Sequence, residues 1–194
     1  MNLLMYKRIC FIYTETTGLH QVNENVSKKK LFGYARMVTL NYEIGYVKDK
    51  EFIQEKFLRQ IIKPRCMSIP QETVEYHGIT QEIANKKGLD PELIINQFKD
   101  ELKTVDIIVS HNIDFHLRTI LAEAVRYNIN LNLNKFVIID TINFFHSFGF
   151  IKLKDLASKL GIKKIPETNE SNVELIRDVF FKLHAKFKKS IETN

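Results

Sequence analysis

The side chains in this sequence that could do chemistry are a few carboxylates and histidines set beside apolar runs. Glu15 closes the run Phe-Ile-Tyr-Thr-Glu and is followed by Thr16, Thr17, Gly18 and Leu19. Glu174 and Asp178 stand four residues apart, so a helix would carry both on one face. Like charges at that spacing cost a helix roughly a few tenths of a kcal/mol unless a positive group lies between them. A divalent cation is one such group, because hard cations such as Mg²⁺ take carboxylate oxygens. The plainer role for Glu174 is a solvated acid near a helix start, where the dipole favours it. His116 offers a nitrogen suited to Zn²⁺ or Mn²⁺, or a neutral side chain that fills space or touches phosphate. His77, His111 and Asn112 fall in loop segments, where such residues commonly hydrogen-bond the backbone. Asp114 has the chemistry of a helix N-cap. Tyr13 carries a phenol that is neutral at pH 7 and a poor Mg²⁺ ligand, so it would stack on a base or plug a pocket.

These residues need elements to hold them. Residues 7–15 read as a strand, with Ile9, Phe11, Tyr13 and Glu15 on one face and Cys10, Ile12 and Thr14 on the other. Both faces are apolar, as in a central strand covered on two sides. Gly18 gives the following turn access to positive φ. Residues 34–45 and 55–64 read as further strands around a turn-like segment, and 68–88 as loop, short helix and loop with Thr80 as a cap. Residues 90–105 predict a helix with Asp90 as N-cap, Pro91 in its first turn, and Leu93, Ile94, Phe98 and Leu102 inward. A short strand at 106–110 precedes a helix over 114–128, with Leu117, Ile120, Leu121 and Ala124 inward. A strand at 135–140 is followed by helices over 141–148, 153–161 (closed by Gly161) and 172–187. Strands first, then strands alternating with helices, give a three-layer α/β domain around a mixed sheet.

The chain has 194 residues, 44% of them apolar, enough for one ordinary domain with a real core. Its formal net charge of +6 favours polyanion partners. The runs Ser27–Lys30 and Lys186–Lys189 could contact phosphates or simply be solvated. Phe144, Phe145, Phe148 and Phe150 would be core, with an exposed pair serving as a docking patch. Two cysteines, Cys10 and Cys66, exclude a disulfide framework and any site of paired cysteines. The apolar start is interrupted by Lys7 and Arg8 and is too short to span a bilayer, so an intracellular, reducing setting is expected.

Four segments, in order, resemble the DEDD superfamily of 3′–5′ exonucleases, and most closely its DEDDh branch of proofreading and RNase T-like enzymes. Thr14–Leu19 (TETTGL) is similar to its first motif, and His77–Thr80 (HGIT) to a loop before its central helix. Ile108–Phe115 (IVSHNIDF) is similar to its second motif, and Ile139–Thr141 followed by LKDLASKLGI to the stretch before its third. The resemblance covers about residues 7–185. It implies a ribonuclease H-like exonuclease fold, α/β, three-layered, with a mixed central sheet flanked by helices. A single exonuclease-like domain over 1–194 follows, with its core at about 7–187 and a short C-terminal tail.

The family's activity is hydrolysis of a terminal phosphodiester with two divalent cations held by four carboxylates, while a histidine positions water. Carried over residue by residue, the first aspartate is Tyr13 and the glutamate is retained as Glu15. The second-motif aspartate is His116. Taking Asp178 as the third-motif aspartate puts Val173 where the histidine belongs. The resemblance places Thr16, Thr17, Gly18, Leu19, His77, His111 and Asn112 against nucleic acid. It leaves Glu15 and Asp178 as the retained catalytic positions, with Glu174 as a further metal candidate. The expectation is a catalytically inactive module of replication, repair or RNA processing that needs no cofactor. Its partner would be a single-stranded DNA or RNA end or a protein. The alternatives are an altered exonuclease using Glu15, Asp178, Glu174 and His116 with Mg²⁺ or Mn²⁺, and a pure protein-interaction scaffold.

Overall fold

The computed structural model describes residues 4, 7–49, 51–143, 150–165 and 172–192, with side chains of the last helix described to residue 186. Phe144, Phe145, Phe148 and most of the helix expected over 141–148 lie outside these residues.

Among the described residues, five strands form one sheet in the order β3-β2-β1-β4-β5. They are β1 (Arg8–Thr16), β2 (Met37–Lys48), β3 (Glu51–Ile61), β4 (Ile107–Ser110) and β5 (Val137–Asp140). β2 runs antiparallel to both β1 and β3, while β4 is parallel to β1 and β5 to β4, which makes the sheet mixed as expected. The β2–β3 hairpin is longer than the sequence suggests, pairing out to Lys48 and Glu51, and Asp49 takes the left-handed φ of 51° beyond it.

The helices are α1 (Gln71–His77), α2 (Gln81–Lys87), α3 (Pro91–Glu101), α4 (Ile113–Arg126), α5 (Leu153–Lys159) and α6 (Asn172–Glu192). Both faces of the sheet are covered. On one, Cys10, Ile12, Leu40, Tyr42 and Ile108 pack against Ile94, Ile95 and Phe98 of α3 and Ile120 and Ala124 of α4. On the other, Ile9, Phe11 and Val109 pack against Leu156 of α5 and Val173, Ile176 and Phe180 of α6. The two-faced reading of β1 therefore holds residue by residue.

Local signals are obeyed where they are local. Thr80 Oγ1 accepts from the Ile83 N–H at 3.1 Å, and Asp90 Oδ1 from the Glu92 N–H at 2.9 Å. Residues 68–88 hold two short helices rather than one, because Gly78 at φ +73° ends the first and Thr80 starts the second. In α3 the inward face includes Ile95 and leaves Leu93 60% exposed, so the expected face is rotated.

The N-cap expected of Asp114 is a correction. α4 begins after Asn112, and Asp114 points outward to Arg118 at 2.6 Å. The cap comes from β5 instead. Asp140 accepts from the backbone N–H groups of Asn112 and Ile113, each at 2.9 Å, and of Ile142 at 3.0 Å. Replacing Asp140 by alanine removes both acceptor oxygens, and with them all three hydrogen bonds, and is expected to cost about 2 kcal/mol. Urea unfolding would read this as a lower midpoint at unchanged slope.

Candidate functional site

The carboxyl ends of β1 and β4 and the start of α4 meet at one edge of the sheet, where open α/β sheets place their ligands. A cleft of about 480 Å³ opens there. Its floor is Tyr13, Glu15, His116 and Asn172, and its rim carries Leu19, Tyr76, Phe115 and Phe150.

The loop after β1 is pinned from several sides. The pairing of β1 with β2 shifts register between Glu15 and Thr16, at the strand's end. Thr16 Oγ1 donates to the Gly18 carbonyl at 2.6 Å, and Thr17 Oγ1 accepts from the Arg36 N–H at 3.0 Å. Gly18 sits at φ +143°, where a side chain is strained. His20 anchors the far end: its Nδ1 accepts from Ala35 N–H, its Nε2 faces the Phe115 carbonyl, and its ring stacks on Phe115 at 4.5 Å. Leu19 is left 83% exposed at the rim.

On the floor, Tyr13 packs against His116 with ring centroids 4.8 Å apart. Burial, and then the Glu15 carboxylate beside it, push the Tyr13 phenol well above its ordinary value. His116 is buried, and Thr14 donates to its Nδ1 through both the backbone N–H (3.1 Å) and Oγ1 (2.9 Å). The proton of the neutral ring therefore sits on Nε2. With Nδ1 accepting and Nε2 protonated, neither nitrogen has a lone pair for a metal. His111 is likewise committed: Nε2 donates to the Ile151 carbonyl at 2.7 Å and Nδ1 accepts from Thr141 at 2.8 Å. His77 Nδ1 accepts from Ile79 N–H at 3.0 Å.

Burial pushes His116 down to about 3, and it lowers His20, His77 and His111 in the same direction. The folded chain thus keeps His116 neutral, while the unfolded chain protonates it below its ordinary 6.5. Stability from this group is complete above 6.5 and is lost as pH falls toward about 3, at about 1.4 kcal/mol per pH unit. Guanidinium unfolding between neutral pH and about pH 5 is expected to show this loss. His116→Gln, whose amide oxygen can still accept from Thr14, is expected to flatten the slope.

The carboxylates singled out by spacing do not converge. Asp178 bonds Arg177 at 3.0 Å, and Glu174 pairs with Arg59. Arg177 also reaches the fully buried Glu43 on β2 at 2.6 Å. The expected metal triad of Glu15, Glu174 and Asp178 is thus replaced by a network of arginine ion pairs. Among the described residues no three His, Cys, Asp or Glu side chains group to hold a metal ion.

Asn172, at the first turn of α6, is the described α6 residue that lines the cleft. Asp178 lies six residues further along that helix, roughly 9 Å down its axis. Among the described residues, α6 therefore reaches this cleft at Asn172, while Asp178 lies on the arginine network. Val173 is buried in the α6 core. Of the residues expected at nucleic acid, Thr16, Gly18, Leu19, His77, His111 and Asn112 line the cleft, while Thr17 lines a neighbouring cavity. Lys152, Tyr76 and Phe115 line the cleft too and were not singled out beforehand.

A mixed five-stranded sheet in this order, with the cleft at the ends of β1 and β4, defines a ribonuclease H-like exonuclease fold. Residues 11–167 match the family model of the RNase T exonucleases, and the chain belongs to that family. Among solved structures, E. coli exonuclease I in complex with a dT13 oligonucleotide superposes with a TM-score of 0.73 at 14% identity, over 96% of this chain and 43% of that one. Exonuclease I from Methylocaldum szegediense gives 0.72 at 15% identity, over 92% and 40%. The E. coli enzyme in complex with a dA16 oligonucleotide gives 0.67 at 16% identity, over 91% and 40%. The chain thus spans about two fifths of the exonuclease I chains it matches, and the likeness establishes the fold. A comparison with curated proteins gives no significant match. No helix among the described residues is long and apolar enough to cross a membrane.

Proposed function

We propose that this chain is a catalytically silent member of its family that holds the end of a single-stranded DNA or RNA. The observation that carries the reading is the floor of the cleft. Glu15 is the one carboxylate among the described residues that line it, and the Tyr13 phenol lies beside it. Tyr13, His116 and Asn172 supply a neutral phenol, a neutral imidazole whose Nδ1 already accepts from Thr14, and an amide. This set does not fit two Mg²⁺ ions, which need several anionic oxygens. Loss of metal chemistry worth several kcal/mol slows hydrolysis by about a thousandfold or more.

The rim supports binding. Tyr76, Phe115 and Phe150 offer π-faces, Leu19 is exposed between them, and Lys152 adds a positive charge. Stacking platforms of this kind take single strands with little regard to sequence. The test is fluorescence anisotropy with labelled single-stranded and duplex oligonucleotides, DNA and RNA, without added metal. Tight binding of single strands, weakened about tenfold by Tyr76→Ala or Phe150→Ala, is expected. Failure to bind single strands, or no preference for them over duplex, would overturn the reading.

A further inference from the structure

Next to the cleft, across Leu19, lies a second cavity of about 530 Å³. The segment between β1 and β2 builds most of it, with Gln21, Lys28, Phe32 and Arg36 in the lining and Arg126 from α4. Among the described residues that line it there is no acidic side chain, and there are three cations. Arg36 and Arg126 both bond the buried carboxylate of Glu123, at 2.9 and 3.0 Å. One buried negative charge between two guanidiniums leaves a surplus positive charge facing the cavity. Lys28 adds another, since its partner at 2.7 Å is the uncharged Asn128 amide oxygen. Phe32 projects from the same wall with its whole ring exposed.

We infer that this cavity binds the single-stranded segment that follows the nucleotides held in the cleft, taking its phosphates on Lys28, Arg36 and Arg126 and a base on Phe32. The inference rests on the nucleic-acid reading of the cleft and extends it. The two cavities share Leu19 in their walls, so a strand leaving the cleft passes directly into the second one. Charge complementarity selects the occupant: a lining of cations with no acid, beside an open aromatic face, matches a phosphate chain carrying unstacked bases.

The experiment measures binding of trinucleotides and dodecanucleotides, as dT and rU series, to the full chain and to Lys28→Gln and Phe32→Ala. Both residues are exposed, so the fold is expected to be unaffected, and circular dichroism verifies it. Phe32→Ala is expected to weaken the dodecamer about tenfold and leave the trimer unchanged. Lys28→Gln is expected to lower the salt-dependence slope for the dodecamer by about 0.7 and leave that of the trimer alone. Trimer binding that persists with dodecamer affinity indifferent to both substitutions would overturn this inference and leave the cleft reading intact. A chain that binds neither length would overturn both. Different losses for dT and rU would assign the segment to DNA or RNA and support the site.

Discussion

Arg177→Ala is expected to destabilise the fold by about 3–5 kcal/mol, because it strands a buried carboxylate. Glu43 has no solvent exposure, and burial raises its carboxyl while Arg177 pulls it back down. Its Oε1 receives the Arg177 guanidinium at 2.6 Å, and its other oxygen has no hydrogen-bond partner among the described residues. Removing the arginine leaves the charge uncompensated beside Glu174 and Asp178, both of which already push Glu43 up. Guanidinium unfolding at neutral pH checks the loss. The double variant Glu43→Leu with Arg177→Met is expected to recover most of it, since apolar residues of similar volume often replace a buried pair at little cost. A single variant as stable as the parent would show that the network is not what holds α6 on the sheet.

The second large effect is expected from restoring acids to the cleft floor. Tyr13→Asp, His116→Asp and Asn172→Asp together put four carboxylates on the floor, counting Glu15, where the parent has one. Without metal, this variant is expected to unfold well below the parent, since clustered like charges are repelled and His116's bonds to Thr14 are lost. A cation that binds only the folded state restores stability by about 2.7 kcal/mol at a hundredfold excess over its dissociation constant. Mg²⁺ or Mn²⁺ is therefore expected to raise the variant's melting temperature by several degrees, and to leave the parent's unchanged. The same triple substitution with Asp178 in place of Asn172 as the third site is not available, because Asp178 is already present and lies on the arginine network.

The parts of this fold legible in the sequence are those decided over a few residues. The alternation in β1 placed Phe11 and Tyr13 on one side and Cys10 and Ile12 on the other, and the sheet follows it. Thr80 and Asp90 cap helices that start beside them. What failed is what long-range packing decides. Asp140 caps α4 from another strand across a gap of 28 positions, so no local signal marks it. Leu93 and Ile95 differ only in which side of α3 the sheet covers. Asp178 lies on the arginine network and not among the cleft's lining residues, and residue spacing alone cannot tell where along the sheet α6 docks. Asn172 was findable in one respect: it opens the helical segment, and a helix start rather than its second turn faces the strand ends. The arginine network was invisible because Arg59 and Arg177 come from β3 and α6, far apart in sequence.

The central claim is that the cleft does not hydrolyse nucleic acid. Its most direct test is 3′–5′ degradation of end-labelled single-stranded DNA and RNA in Mg²⁺ and in Mn²⁺, with Glu15→Ala as the control. The account predicts no shortening of the oligonucleotides beyond that seen with Glu15→Ala. Metal-dependent shortening that Glu15→Ala abolishes would contradict it.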